Sequence, residues 1–211
     1  MPTRRYDSPV RDAQREATRE RIIDAALELV AGGLDELTIP AVATSAGLSP
    51  ATVYRHFPTL DDLMLALLQW LRPRVGQTRD RLTGGAPERL ADVARENYAG
   101  YEKHADVLRP LMESRAFNRA RVGSEGRRAP HGVAAFRHVA TGYSEQDLEG
   151  ATGAVYMLVA PQTWRWLRET WGLDAETASR ATSWAVQVLV EAIANGRGLD
   201  ADPARPTGDR P

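Results

Sequence analysis

Thr38, Ser49, Ala51, Thr52, Tyr54, Arg55 and His56 fall in one short segment and carry groups suited to a polyanionic, hydrogen-bonding partner. The hydroxyls of Thr38, Ser49 and Thr52 can donate or accept. Tyr54 adds a phenol, Arg55 a guanidinium and His56 an imidazole. Such groups bind phosphate oxygens and the donor and acceptor edges of bases. The Thr52 methyl can touch a thymine, and Ala51 is small enough for close approach. No acidic residue occurs from Leu37 to Thr59. The formal net charge of the chain is only −1, and the arginines of residues 1–81 are matched one for one by acids. A basic total is therefore not the signal; a local lack of acids is, and charge alone leaves the partner open.

The elements around these residues decide how they are presented. Thr38 is an N-cap with Pro40 in the first turn, and Leu37 can staple onto Val42. Gly47 breaks that helix about two turns later. Leu48-Ser49-Pro50 repeats the start signal, with Ser49 as N-cap, Pro50 at the first helical position and Leu48 stapled to Val53. Pro58 ends the second short helix, and Thr59-Leu60-Asp61-Asp62 opens the next. Two short helices joined by a glycine turn describe a helix-turn-helix, whose second helix fits the major groove of B-DNA while its neighbour crosses the backbone. Ser49 and the first-turn amides suit a phosphate.

The segment TIPAVATSAGLSPATVYRHFPTLDDL, Thr38 to Leu63, resembles the DNA-binding signature of the tetracycline-repressor (TetR) family. Ala46-Gly47-Leu48-Ser49 and Tyr54-Arg55-His56-Phe57-Pro58 carry the likeness, which extends over Arg19 to Trp70. The resemblance implies that Thr38, Ser49, Thr52, Tyr54 and His56 contact the operator, mostly its phosphates, and that Phe57 holds the three helices together. Leu60 departs from the pattern, standing where the family commonly has a lysine. One phosphate contact fewer flattens the salt dependence of binding by about 0.9 in log–log slope.

The whole chain of 211 residues, 43% hydrophobic, reads as all-α with about nine helices. A first helix spans about Ala13 to Val30, ended by Gly32-Gly33. In it Arg11, Arg15 and Arg19 run beside Asp12, Glu16, Glu20 and Asp24, which predicts a solvated, salt-bridged face. Arg4 and Arg5, in a loose arm, are the better auxiliary DNA contacts. Later helices are expected at Leu60–Leu82, Glu88–His104, Asp106–Phe117, Glu145–Trp171 with a kink at Pro161, and Ala175–Asn195. Weak helical character is expected near Gly132–Thr141. The expected domains are residues 1–58 (arm and helix-turn-helix), 59–195 (effector binding and dimerisation) and 196–211 (a disordered tail), with a mobile loop at 118–131.

A single head covers few base pairs, so a homodimer on a palindromic operator is expected. The last two helices are its natural interface: Ala178, Ala181, Ala185, Val188, Leu189 and Ala192 on one, Leu158, Trp164, Leu167 and Trp171 on the other. The resemblance implies the same four-helix arrangement. It also implies a small-molecule pocket among the middle helices, for which Trp70, Tyr98, Tyr101, Met112, Phe117, Met157 and Trp164 are candidate linings. That mix suits a small apolar or aromatic effector, with Tyr98, Tyr101, His104 or Gln162 for polar contacts. The reading is a ligand-responsive transcriptional repressor in the cytoplasm. The alternatives are a DNA-binding regulator governed by a protein partner or its own level, and more remotely an all-helical enzyme. No G-x-S-x-G, phosphate-cradling glycine loop or H-E-x-x-H occurs, there is no cysteine, and His131 and His138 lack a third ligand, so no cofactor or metal is expected. No apolar run is long enough to span a bilayer.

Overall fold

The computed structural model describes residues 9–75, 89–119, 133–134, 136–137, 140, 142–197 and 199. The arm with Arg4 and Arg5, most of the loop at 118–131, His131, His138 and nearly all of the tail lie outside them. Among the described residues there is no strand, and no helix is long and apolar enough to cross a membrane. The contacts divide the chain into two compact units: residues 1–71 with 105–121, and residues 72–104 with 122–211.

In the first unit, α1 (Pro9–Gly32) starts earlier than its apolar pattern suggests, because its first turns are polar and exposed. Its buried stripe is Ile22, Ala25, Ala26 and Val30. A single 3-10 turn (Leu34–Glu36) leads into α2 (Ile39–Ser45) and then α3 (Pro50–His56). α4 follows as Leu60–Leu71. Thr59 and Asp62 close a reciprocal box at its start, each side chain accepting from the other's backbone N–H at 3.1 and 3.0 Å. The helix expected to reach Leu82 ends at Leu71 instead. Pro73, two residues on, disfavours helical geometry at Arg72, and that stop signal outweighs the continuing periodicity. The contacts group α4, and also α6 (Ala105–Glu113), with the N-terminal helices. Val107, Leu108, Leu111 and Met112 of α6 are buried there with Leu63, Leu67 and Phe57. Residues 115–119 add a further helical turn, capped by Ser114, whose Oγ accepts from the Phe117 N–H at 2.9 Å.

The second unit holds α5 (Leu90–Lys103), α7 (Glu145–Leu158), α8 (Pro161–Glu169) and α9 (Ala175–Ala194). α5 and α9 share its most extensive packing. Leu90, Ala94, Phe136, Leu148, Val155, Val186 and Val190 form the core. Residues 133, 134, 136 and 137 are helical, as the weak pattern there predicts. Here the expectation of one long kinked helix from Glu145 to Trp171 is corrected. The helix breaks at Val159 and Ala160, and Pro161 occupies the first turn of a new one. Proline at that position has no bond to lose, whereas inside a helix it costs about 3 kcal/mol, so a break is cheaper than a kink.

Candidate nucleic-acid interface

The helix-turn-helix forms because its caps and its turn agree. Thr38 is extended and its Oγ1 accepts from the Ala41 N–H at 3.2 Å; Ser49 is extended and its Oγ accepts from the Thr52 N–H at 3.2 Å. Between them α2 closes through two backbone bonds, Leu48 N–H to the Ala43 carbonyl at 2.8 Å and Gly47 N–H to the Thr44 carbonyl at 3.1 Å. That pair is a Schellman closure, which needs a left-handed residue, and Gly47 sits at φ 63°. Arg21 of α1 ties the same turn, donating to the Ala46 carbonyl at 2.6 Å.

α3 buries one residue, Val53, and is followed by Phe57, 2% exposed. Everything else on it is turned out to some degree. Ser49, Ala51 and Arg55 are exposed, Tyr54 is half-exposed at 50%, and Thr52 and His56 are half-buried. Thr38 is exposed at the start of α2. All seven sequence-predicted residues therefore belong to one unit and retain accessible atoms. Ser49 Oγ also lies 2.9 Å from Thr52 Oγ1, so the two hydroxyls act as a pair. Neutral His56 is favoured: burial comes first, and the charges of Arg15, Arg55 and Arg19 add to it, opposed by Glu16, so its pKa lies below the ordinary 6.5. Arg15 and Arg19 of α1 adjoin His56 and Phe57, where a salt-bridged face was expected. Their four-residue spacing was visible in the sequence, but their register against Phe57 was not.

The sequence-predicted effector residues are divided between the two units. Tyr98, Tyr101 and Trp164 come together in the second unit, with ring centroids 5.9 and 5.7 Å apart, and all three are buried. Trp70, Met112 and Phe117 belong to the first unit. Met157 is 63% exposed. The break before Pro161 frees carbonyls, and α5 supplies donors for them. Tyr98 Oη donates to the Leu158 carbonyl at 3.2 Å and Tyr101 Oη to the Val159 carbonyl at 2.8 Å. Thr182 of α9 donates to Tyr98 at 2.9 Å. Burial pushes the Tyr98 phenol up to about 12, with the Thr182 bond opposing. Glu102 accepts from Trp164 Nε1 at 2.7 Å and pairs with Arg168 at 2.6 Å. Among the described residues no cluster of three His, Cys, Asp or Glu could hold a metal ion.

Of the residues expected at a subunit interface, Ala178 and Trp164 are fully buried within the chain. Ala181 is exposed, with Val188 44% and Trp171 62% exposed. Two further tryptophans of α8 and α9 are exposed, Trp166 at 52% and Trp184 at 69%. Trp166 and Trp171 meet edge to face at 5.6 Å.

An N-terminal helix-turn-helix head within an all-helical chain defines the class. Residues 22–67 match the model of the bacterial regulatory proteins of the tetR family, so this segment is similar to that family. A curated relative, an uncharacterized HTH-type transcriptional regulator of Haemophilus influenzae, is 34% identical over 82 residues, which is 36% of this chain. The match spans 40% of that relative's length. Among solved structures, NalD of Pseudomonas aeruginosa, the secondary repressor of the MexAB-OprM multidrug efflux pump, is similar with a TM-score of 0.60 and 22% identity. It covers 81% of this chain and 95% of NalD. BioQ of Mycobacterium smegmatis gives a TM-score of 0.59 at 18% identity, over 84% of this chain and 98% of its own. At these identities the likeness is one of fold.

Proposed function

We propose that the chain is a DNA-binding transcriptional regulator rather than an enzyme, and that it acts as a repressor, as NalD does. The observation that carries this is the outward face of α3. Val53 and Phe57 lock the helix into the core, while Ser49, Ala51, Tyr54 and Arg55 stay exposed in a stretch without a single acid. A rigid helix bearing hydroxyl and guanidinium donors is what major-groove reading requires. Thr38, Thr52 and His56 complete the contacts, mostly to phosphates.

The working form is a homodimer in the cytoplasm, paired through the exposed side of α8 and α9 around Trp166, Trp171, Trp184 and Val188. Exposed tryptophans in this number are uncommon on a surface that faces only water. Two-fold symmetry sets the heads about 34–36 Å apart, on half-sites one helical turn apart or a multiple of it. Hydroxyl-radical footprinting of the DNA upstream of the chain's own coding region tests this. It should give protection symmetric about an inverted repeat; protection without symmetry rejects the dimeric operator.

For control, a small apolar or aromatic effector acting at the Tyr98–Tyr101–Trp164 cluster would bias the head spacing by binding two states unequally. A regulator with no such effector is the second reading. It is favoured by the commitment of both tyrosine hydroxyls to the Leu158 and Val159 carbonyls, bonds an entering ligand would have to break.

A further inference from the structure

Arg15 and Arg19 stand one turn apart on the same face of α1, about 6 Å along its axis. Their spacing beside a column of acids predicts ion pairs, yet among the described residues neither forms one. Arg19 instead lays its guanidinium over the Phe57 ring, 4.7 Å from the centroid. Phe57 is the C-cap of α3, so this stack fixes Arg19 beside the last turn of that helix, which carries Arg55 and His56. Arg15, one turn back on α1, extends the same cluster; its charge and those of Arg55 and Arg19 all act on His56. Glu16 is the one acid that acts there, and it ranks behind the three arginines. Three like charges outweigh the one acid that acts there, and a polyanion would relieve their mutual repulsion.

We propose that Arg15 and Arg19 of α1 join Arg55 in a clamp on neighbouring DNA backbone phosphates beside the bases that α3 reaches. This rests on the DNA-binding reading above. The guanidinium fork matches phosphate oxygens bidentately, and stacking on Phe57 orients Arg19 before the DNA arrives. The clamp supplies phosphate contacts that offset the lysine missing at Leu60. Being a backbone contact, it adds affinity without sequence preference.

The test is fluorescence anisotropy of the full chain on two labelled duplexes, the DNA upstream of its own coding region and a scrambled duplex of equal length, over a salt series. Arg15→Gln and Arg19→Gln should each flatten the slope of log affinity against log salt by about 0.9, equally on both duplexes. Arg19→Lys, which keeps the charge, should retain the slope. Arg15 is exposed, so its replacement leaves packing untouched and guards against a folding artefact in the Arg19 variant. Unchanged slopes in the two Gln variants overturn the clamp, as does a loss confined to the upstream duplex, which would make these arginines base readers. If the unaltered chain binds neither duplex in a salt-dependent way, it is the DNA-binding reading that fails.

Discussion

Gly47→Ala isolates the backbone requirement of the helix-turn-helix from every side-chain contact. Gly47 holds φ 63°, and among the described residues beyond its chain neighbours an added Cβ would meet the Arg21 guanidinium Nη2 at 3.6 Å, an ordinary contact. The cost is therefore conformational. A left-handed alanine is disfavoured by about 1–2 kcal/mol. Against this, alanine restricts the unfolded chain and returns about 0.4–1 kcal/mol. The net expectation is a loss of about 1 kcal/mol. Urea denaturation followed by far-ultraviolet circular dichroism, at one fixed protein concentration, reads it as a lower midpoint at unchanged slope. Gly47→Asn, which tolerates the left-handed region better, should lose less. An alanine variant as stable as the parent would refute the claim that the Leu48–Ala43 and Gly47–Thr44 closure needs a left-handed residue that only glycine adopts without cost.

Four further outcomes follow from other parts of the structure. Gly100→Ala places a Cβ 2.8 Å from the Arg74 carbonyl oxygen and 2.9 Å from the Val75 Cα, so it should lower the melting temperature although alanine is the better helix former; unaltered melting would contradict that close crossing. Tyr101→Phe leaves the buried Val159 carbonyl with a 3.5 Å contact from Asn97 and should cost about 1–3 kcal/mol by the same denaturation assay. His56 holds fewer protons folded than unfolded, so its contribution to stability is present above pH 6.5 and declines as pH falls toward its lowered pKa. Phosphate beside it reverses that preference. DNA affinity should rise on acidification, by at most about tenfold per pH unit, and His56→Gln should abolish the rise. Trp184→Glu should shift sedimentation velocity toward a smaller species if the exposed side of α9 pairs two chains, and leave it unchanged if it does not.

Where side chains and local backbone agreed, the fold was legible in the sequence. Thr38, Ser49 and Thr59 announced three helix starts, and each caps its helix. Gly47 announced the turn. Pro161 was harder. The 3.6-residue pattern runs through it, and Ala160, the residue that caps the new helix, has only a methyl group and no hydrogen-bonding atom with which to signal a start. Pro73 stopped α4 although apolar residues recur beyond it. The site divided in the same way. Thr38 to His56 could be read because one contiguous segment builds it. Arg19 reaches that surface from α1 by stacking on Phe57, a tertiary fact no local spacing contains. Tyr98 and Tyr101 carried the chemistry expected of a polar contact, but their partners lie some 60 residues away, at a break that periodicity concealed.

The most direct measurement is a titration of the chain, alongside Tyr54→Ala and Thr52→Ala, against the labelled duplex upstream of its own coding region. Binding should be saturable and salt-sensitive, weakened by about 1–3 kcal/mol in Tyr54→Ala and weakened also in Thr52→Ala. Undiminished binding by both variants would contradict it, because the outward face of α3 would then not be what reads the DNA.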